Sequence, residues 1–365
     1  MDFGNIGFIG LGLIGGSIAK TIKRIYPATT VIATAGHTST VREAYEDGTI
    51  SNPDILDIHA FSSCDLIFLC CPVQKNIEYL KQLKSVMKST CILTDVGSVK
   101  TDIHEEVSRL GMEKNFIGGH PMTGSEKTGY HNATAYLLEN AYYILTPSAQ
   151  IEPSALILFQ DYLSSLGALT KILDYRKHDH VTASISHLPH VIAASLVNLI
   201  ASIDDPDETM KTIAAGGFKD MTRIASSSPV MWQNICLSNR EQIMLLLERF
   251  SSKLQSAKEL IASGDADAIY HFFESAKDYR DSMQVTRSGP LDKIHEFYCD
   301  LIDEAGGIAT IATILASNHL SIKNIGILHN REFEQGVLRI EMYDSKSLEQ
   351  SIALLKKYHY TVYVR

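Results

Sequence analysis

The sequence predicts an α/β chain in three parts: a doubly wound sheet domain over residues 1–174, an all-helical domain over 175–290, and a small α+β module over 294–365. Three observations lead there. From residue 5 to about 174, short apolar runs ("NIGFIG", "TVIATAG", "DLIFLCCP", "TCILTDVG", "NFIGGHP", "AYYILTP", "LTKILDY") alternate with helical patterns. Strands that are apolar throughout belong to a parallel sheet covered on both faces. From about 175 to 290 the strand signals vanish and apolar residues recur at helical spacing, as in "PVMWQNICLSNREQIMLLLERFSSKLQSAKELIASG". After the linker-like "SMQVTRSGPLDK" the pattern is strand, helix, two strands, helix, strand, the βαββαβ order of a ferredoxin-like module.

A chain of 365 residues, 45% hydrophobic and 21% charged, has apolar material for more than one core. Its net charge of −9, with no Lys/Arg stripe, argues against nucleic acid or an anionic membrane surface as main partner. Any anion it binds must be captured by a few local cations. Six cysteines without CxxC or zinc-ligand spacing are expected to be buried free thiols in a reducing, cytoplasmic compartment. "MDFGNIGFIGLGLIGGS" lacks a basic start and runs straight into a helix, so it does not read as a signal peptide. Residues 181–203 have the length of a bilayer span and no Asp, Glu, Lys or Arg, but they carry His187, Pro189, His190, Asn198 and several serines. A helix buried in protein on most sides, at the centre of a dimer, is the expectation.

Gly10-Leu-Gly12-Leu-Ile-Gly15 follows the strand "IGFI" and opens a helix near Leu13. The glycines permit a tight turn, close approach of a pyrophosphate and close helix–strand packing, while the N–H groups of Leu13 and Ile14 sit at the positive helix end. A strand–turn–helix setting separates such a Rossmann-type dinucleotide turn from a merely structural one. An NAD-specific fold then offers an acid about twenty residues on. Here the sequence reads "ATAGHTST", with Ala35 and Gly36 where an acid is expected. His37, Thr38 and Ser39 remain to receive the ribose or a 2′-phosphate, with Arg42 the nearest arginine, so NAD is the expected coenzyme and NADP stays open.

Two further turns lie at the carboxyl ends of strands, where open α/β sheets bind ligands. "TDVGSVK" contains Ser98 and Lys100, and Ser98 is either a helix cap or a ligand-binding group. "GGHPMTGSEKTG" sets a lone His120 among glycines and a proline, and reads as a shaped loop. "HDHVTASISHLPH" holds His178, His180, His187 and His190 without the carboxylate company of a metal site, so one or two face a cleft and the rest make polar contacts. In "GGFKDMTRIASSSPVMW", Lys219 and Arg223 share a helix face, either a solvated one or an anion clamp.

These residues, in this order, resemble the prephenate dehydrogenase family, the TyrA-type enzymes of tyrosine biosynthesis, over essentially the whole chain. The tail "EAGGIATIATILASNHLSIKNIGI" looks like an ACT domain. The resemblance implies that His120 is the base for the C4 hydroxyl of prephenate while hydride leaves C4 for a nicotinamide, with decarboxylation to 4-hydroxyphenylpyruvate. It implies that Ser98 bonds that hydroxyl and His120, and that Arg223 binds a substrate carboxylate with help from His190. Ser125, Glu126 and Lys219 would complete the pocket, Glu126 pairing with Arg223 or Lys219. The tail would pair with another copy and take L-tyrosine near Gly306, Gly307 and Asn324 as a feedback effector, in a homodimer. The chain departs from the family at Ala35 and Gly36. Three other readings stay open: arogenate dehydrogenase, a β-hydroxyacid-type dehydrogenase that relies on a catalytic lysine, and a non-catalytic amino-acid sensor. The set His120, Ser98 and Arg223 favours an enzyme.

Overall fold

Strand β1 (Asn5–Ile9) runs through the glycine turn into α1 (Leu13–Ile25). The alternation continues with β2 (Thr30–Thr34), α2 (Thr38–Glu46), β3 (Leu66–Leu69), α3 (Val73–Leu83) and β4 (Ile92–Asp95). The computed structural model describes residues 3–124, 127–283, 295–301, 306–328 and 336–363. The first four strands form a parallel sheet in the order β2-β1-β3-β4. β3 and β4 are buried along their whole length, as a sheet covered on both faces requires. One apolar layer packs Phe8 and Phe68 against Ile18 and Ile22 of α1; the other gathers Ile67, Leu69, Leu80 and Phe116.

The chain continues through α4 (Thr101–Leu110), β5 (Ile117–Pro121), β6 (Tyr142–Pro147), α5 (Pro153–Ser165) and β7 (Leu169–Ile172). Here the sheet departs from a wholly parallel one. β6 is antiparallel to β5 and parallel to β7, and this second sheet meets the first through a bridge between Leu93 and Phe116. The described part of the β5–β6 connection contains a short helical turn at Tyr130–Asn132 and no crossover helix of the kind a parallel return needs.

Gly118, Gly119 and His120 belong to strand β5, as the run "NFIGGHP" suggested, and not to the loop read from "GGHPMTGSEKTG". The glycines serve packing. A Cβ on Gly118 would lie 2.3 Å from the Thr146 hydroxyl, and one on Gly119 would lie 2.6 Å from the Asp95 carbonyl oxygen. Strand β5 can approach its neighbours this closely only without side chains at those positions. Asp95, at the end of β4, pairs with Lys100, both side chains fully buried. The same carboxylate accepts N–H bonds from Gly97 at 2.9 Å and Gly119 at 3.1 Å. His104 of α4 bonds the Thr146 hydroxyl at 2.9 Å.

The helical domain opens with α6 (Tyr175–Thr182) and α7 (Leu188–Ile203), joined by a π-helical turn at Ala183–His187 into one continuous helix. By length and composition alone this helix could cross a membrane. It is not buried on most sides within the chain. Only 17% of its most apolar stretch is covered, and Ile185, Leu199 and Ile203 are exposed. Apolar periodicity reports what a face is made of, not what covers it. There follow α8 (Thr209–Ile213), α9 (Gly216–Thr222), a 3₁₀ turn at Arg223–Ser226, α10 (Pro229–Ser238), α11 (Arg240–Ser263) and α12 (Ala266–Ser282). Ser228 caps α10 with Pro229 in first position, as expected. Lys219 and Arg223, expected on one helix, are parted by the end of α9 at Thr222.

Residues Met1–Arg287 form one compact unit and Ser288–Arg365 another. The second unit runs β8 (His295–Leu301), α13 (Gly307–Ser317), β9 (Ile322–Leu328), β10 (Gly336–Met342), α14 (Ser345–Lys357) and β11 (Val362–Tyr363). Its antiparallel sheet has the ferredoxin-like order β11-β8-β10-β9, over a core that includes Phe297, Cys299, Ile311, Leu338 and Leu355. The six cysteines are free, and burial pushes the thiols of Cys64 and Cys91 up to about 12.

Burial, aided at His104 by the Lys100 charge, holds His104 down at about 3; burial also holds His187 down at about 4. The unfolded chain protonates such rings near 6.5, so below that pH it binds protons that the folded chain refuses. Stability should therefore fall with decreasing pH, by up to roughly 1.4 kcal/mol per pH unit for each ring. Urea midpoints measured between about pH 7 and about pH 4.5 should decline, and less steeply in His104→Gln, which keeps a partner for Thr146. Equal slopes would count against this account. Asp95→Asn leaves the Lys100 ammonium buried without a countercharge and should cost about 3–5 kcal/mol, read as a lowered thermal midpoint. A variant as stable as the parent would show that the pair does not hold the strands together.

Candidate active site

The candidate residues converge where the carboxyl ends of β4 and β5 meet the helical domain. His120, partly buried, sits near the end of β5 with its Nδ1 2.8 Å from Nε2 of His178 on α6. His178 Nδ1 lies 2.8 Å from Oδ1 of Asp179. That carboxylate also accepts the backbone N–H groups of Lys100 and Thr101, each at 2.8 Å, and the Thr101 hydroxyl at 2.6 Å. Lys100 and Thr101 are the cap and first residue of α4. Asp179 thus reaches out of the helical domain to cap a helix of the sheet domain, where the helix dipole favours a negative charge.

Burial drives the pKa of His120 well below the usual histidine range, and the nearby His178, Lys100 and His187 add to the effect. The ring is a neutral base at neutral pH. Its Nε2 has no partner among the described residues and is not one of the buried unpaired atoms. Burial pulls the Asp179 carboxyl upward, but the bonds from His178 and Thr101 outweigh it and hold the group below the ordinary range. Asn239, at the break between α10 and α11, donates to the Asp179 carbonyl at 2.9 Å and lies 3.1 Å from His187 Nδ1.

A cationic face adjoins this row. His190 on α7 gives its Nδ1 to the Ser186 carbonyl at 2.8 Å and stacks on Trp232 with ring centres 3.9 Å apart. Trp232 also meets His187 edge-on at 5.9 Å, and its buried indole N–H has no partner among the described residues. Burial lowers the pKa of His190, and the Arg223 charge lowers it further, which puts Arg223 beside it. The Arg223 and Lys219 side chains are exposed.

Ser98 lies in the turn between β4 and α4 and has no hydrogen bond among the described residues. It does not cap α4, because the helix starts at Thr101 and Asp179 caps it. The His120 ring is held by His178 and not by Ser98 as expected. Ser125 and Glu126 lie outside the described residues. Thr38 is the exposed first residue of α2, directly after β2. Gly306, with φ +96°, and Gly307 open α13, while Asn324 is an exposed residue of β9 opposite Glu341. Sequence reading overlooked Asp95, Asp179 and Asn239. The available signal was an acid at the tip of an apolar strand and another between two histidines.

The glycine turn fits a dinucleotide. Gly10 has φ +96°, and a Cβ there would lie 2.7 Å from Cys71 Sγ; one on Gly15 would lie 2.7 Å from the Gly10 carbonyl oxygen. A Cβ on Gly12 would meet nothing within 4 Å. That open space fronts the N-terminus of α1, which has no side-chain cap and no acid in its first turn. The N–H groups of Leu13 and Ile14 are therefore left for an anion. Among the described residues no His, Cys, Asp and Glu group gathers as a metal site.

Family models described as the nucleotide-binding domain and the dimerization domain of prephenate dehydrogenase match residues 18–172 and 174–290. The prephenate dehydrogenase of Bacillus subtilis (strain 168) is 35% identical over 354 residues, 96% of this chain and 95% of its own. The solved structure of A. aeolicus prephenate dehydrogenase in complex with hydroxyphenyl propionate and NAD+ matches with a TM-score of 0.73 at 30% identity, covering 78% of this chain and 99% of that one. Synechocystis arogenate dehydrogenase matches with a TM-score of 0.68 at 30% identity, covering 76% and 99%. By sequence over nearly its full length and by fold over its first two domains, the chain belongs to the prephenate dehydrogenase family.

Proposed function

We propose that this chain is an NAD-dependent prephenate dehydrogenase that converts prephenate to 4-hydroxyphenylpyruvate and CO₂. The observation that carries the reading is His120, a neutral imidazole with Nδ1 engaged and Nε2 free, linked through His187 and Trp232 to the His190–Arg223 face. Bound at the Gly10–Gly15 turn, NAD would supply the acceptor for the hydride that leaves C4. His120 Nε2 takes the proton of the C4 hydroxyl, leaving a ring ketone conjugated with the carbon that bears the ring carboxylate. CO₂ departs, its bonding pair flows to that ketone oxygen, and the proton held on His120 returns there to make the phenol. The ring becomes aromatic, so the protein's task is positioning and the first deprotonation.

The fork of Arg223 suits one carboxylate of the dianionic substrate. His190 has committed Nδ1–H to a backbone carbonyl, so its Nε2 donates only when the ring is protonated, a state that a bound carboxylate favours. Ser98 reaches the C4 hydroxyl in this reading, Ser125 and Glu126 close the pocket, and Lys219 assists Arg223. Thr38 borders the adenosine ribose. Arogenate, the transaminated substrate, is the second reading, favoured by the match to the Synechocystis enzyme. The open apolar faces of α7, α10 and α12, with Leu199, Leu237 and Phe273 exposed, support a homodimer through the segment matched by the dimerization model. A cytoplasmic location goes with this reading, supported by the free cysteines. The last unit acts as an ACT-type module that binds L-tyrosine around Gly306, Gly307 and Asn324 and shifts the population toward a less active state.

Initial rates with prephenate and arogenate, each with NAD and NADP, test the assignment. Prephenate with NAD should turn over, and His120→Asn should lose about 10²–10⁴-fold in kcat while NAD binding by titration is unchanged. Folded, NAD-binding protein that turns over neither substrate would move the reading to an amino-acid sensor. Deleting residues 294–365 should remove inhibition by L-tyrosine; inhibition that persists would mean tyrosine competes in the active site.

A further inference from the structure

We propose that Asp179 is a positioning residue that sets, through His178, which nitrogen of His120 carries the proton. The inference rests on His120 being the base. Every described side-chain partner of the Asp179 carboxylate is a donor: the N–H groups of Lys100 and Thr101, the Thr101 hydroxyl and His178 Nδ1. A carboxylate with four donors around it is ionised and can only accept. With a single ring proton, His178 must therefore carry it on Nδ1, which leaves a lone pair on Nε2. His120 Nδ1, 2.8 Å away, must then supply the proton of that bond. The consequence falls on the far side of the ring: His120 Nε2 keeps its lone pair toward the substrate. Reversing the row would place an N–H there, and an N–H cannot take the proton of a hydroxyl.

The row is held at its far end by main-chain N–H groups together with two polar side chains, Thr101 and Asn239. Asp179 is fixed by the first N–H groups of α4, and its own carbonyl by the Asn239 amide at 2.9 Å. When His120 gains the substrate proton, its Nδ1–H bond to His178, itself bonded to Asp179, stabilises the new charge. Asp179 does this without touching the substrate, and it is buried.

Two substitutions in the full-length protein separate proton placement from packing. In Asp179→Asn the amide NH₂ can face His178 Nδ1, so the His178 proton moves to Nε2 and the His120 proton to its own Nε2. We expect kcat to fall about 10²–10⁴-fold with little change in the KM for prephenate or in NAD binding. In His178→Gln the side-chain oxygen accepts from His120 Nδ1 and keeps the working tautomer, so kcat should stay within about tenfold of the parent. Nitrogen NMR of histidine-labelled protein without substrate reads the tautomer directly: His120 Nε2 should be unprotonated in the parent and in His178→Gln, and protonated in Asp179→Asn. A protonated Nε2 in the parent, an unchanged kcat in Asp179→Asn, or a His178→Gln variant as damaged as Asp179→Asn would each overturn the proposal. Because the nitrogen signal needs no turnover, a parent inactive on prephenate would sink the functional reading while the tautomer comparison still decides this one.

Discussion

The buried ion pair of Asp95 and Lys100 is the interaction on which the site depends. Burying two charges is tolerated only where geometry and further hydrogen bonds compensate the lost water. Here Asp95 takes the N–H groups of Gly97 and Gly119 besides the ammonium. Desolvation lowers the pKa of Lys100, and the charges of Asp95 and Asp179 oppose it. The pair stands where β4, the last strand of the parallel sheet, meets β5, the first of the mixed one. The Leu93–Phe116 bridge alone would give little register there. Asp95 holds the residue directly before His120, and the backbone N–H of Lys100 holds Asp179 at the end of the His120–His178 row. Strand and ring of His120 are thus anchored by two routes that both pass through Lys100.

This arrangement also ties the first two domains together. The first N–H groups of α4 find no cap in their own turn and are satisfied by a carboxylate nearly eighty residues away in sequence. Neither partner would be content alone: α4 would fray at its start, and Asp179 would be a buried unpaired charge. The sheet domain and the helical domain therefore complete each other, in keeping with Met1–Arg287 forming a single compact unit.

Much of the fold was legible because local patterns carry it. Apolar runs marked β1 to β7, the glycine turn marked β1–α1, and the period changes after residue 294 marked the ferredoxin-like order. What stayed hidden was long-range. Glycine has one local signature for a flexible loop and for close packing, so Gly118 and Gly119 read both as the end of an apolar run and as part of a loop, although they make room for Thr146, His104 and Asp95. Ser98 stands where a cap is expected, but nothing in its neighbourhood says that α4 starts at Thr101 and is capped from α6. His120 could be singled out as a candidate from its setting. Its partner His178 could only be noted as one of four histidines, because a bond across 58 residues leaves no mark on spacing.

In the proposed function a chain with net charge −9 must still receive a dianion, and the distribution of burial suits that task. The cations proposed to meet the carboxylates, Arg223 and Lys219, are exposed, where a guanidinium or ammonium keeps its charge at little desolvation cost. His120 lies further in, where burial keeps it neutral. One gradient of solvent access thus leaves exposed charged side chains beside an uncharged imidazole. Exchanging the two would fail on both counts, since a buried clamp would carry a large desolvation cost and an exposed base would be partly protonated near its ordinary pKa. In the proposed reading the same gradient would orient the substrate: its carboxylates would be drawn to the rim, and its uncharged hydroxyl end is the part that could enter the interior without a countercharge. On that reading the row from His120 to Asp179 has only to present a lone pair where the hydroxyl would arrive.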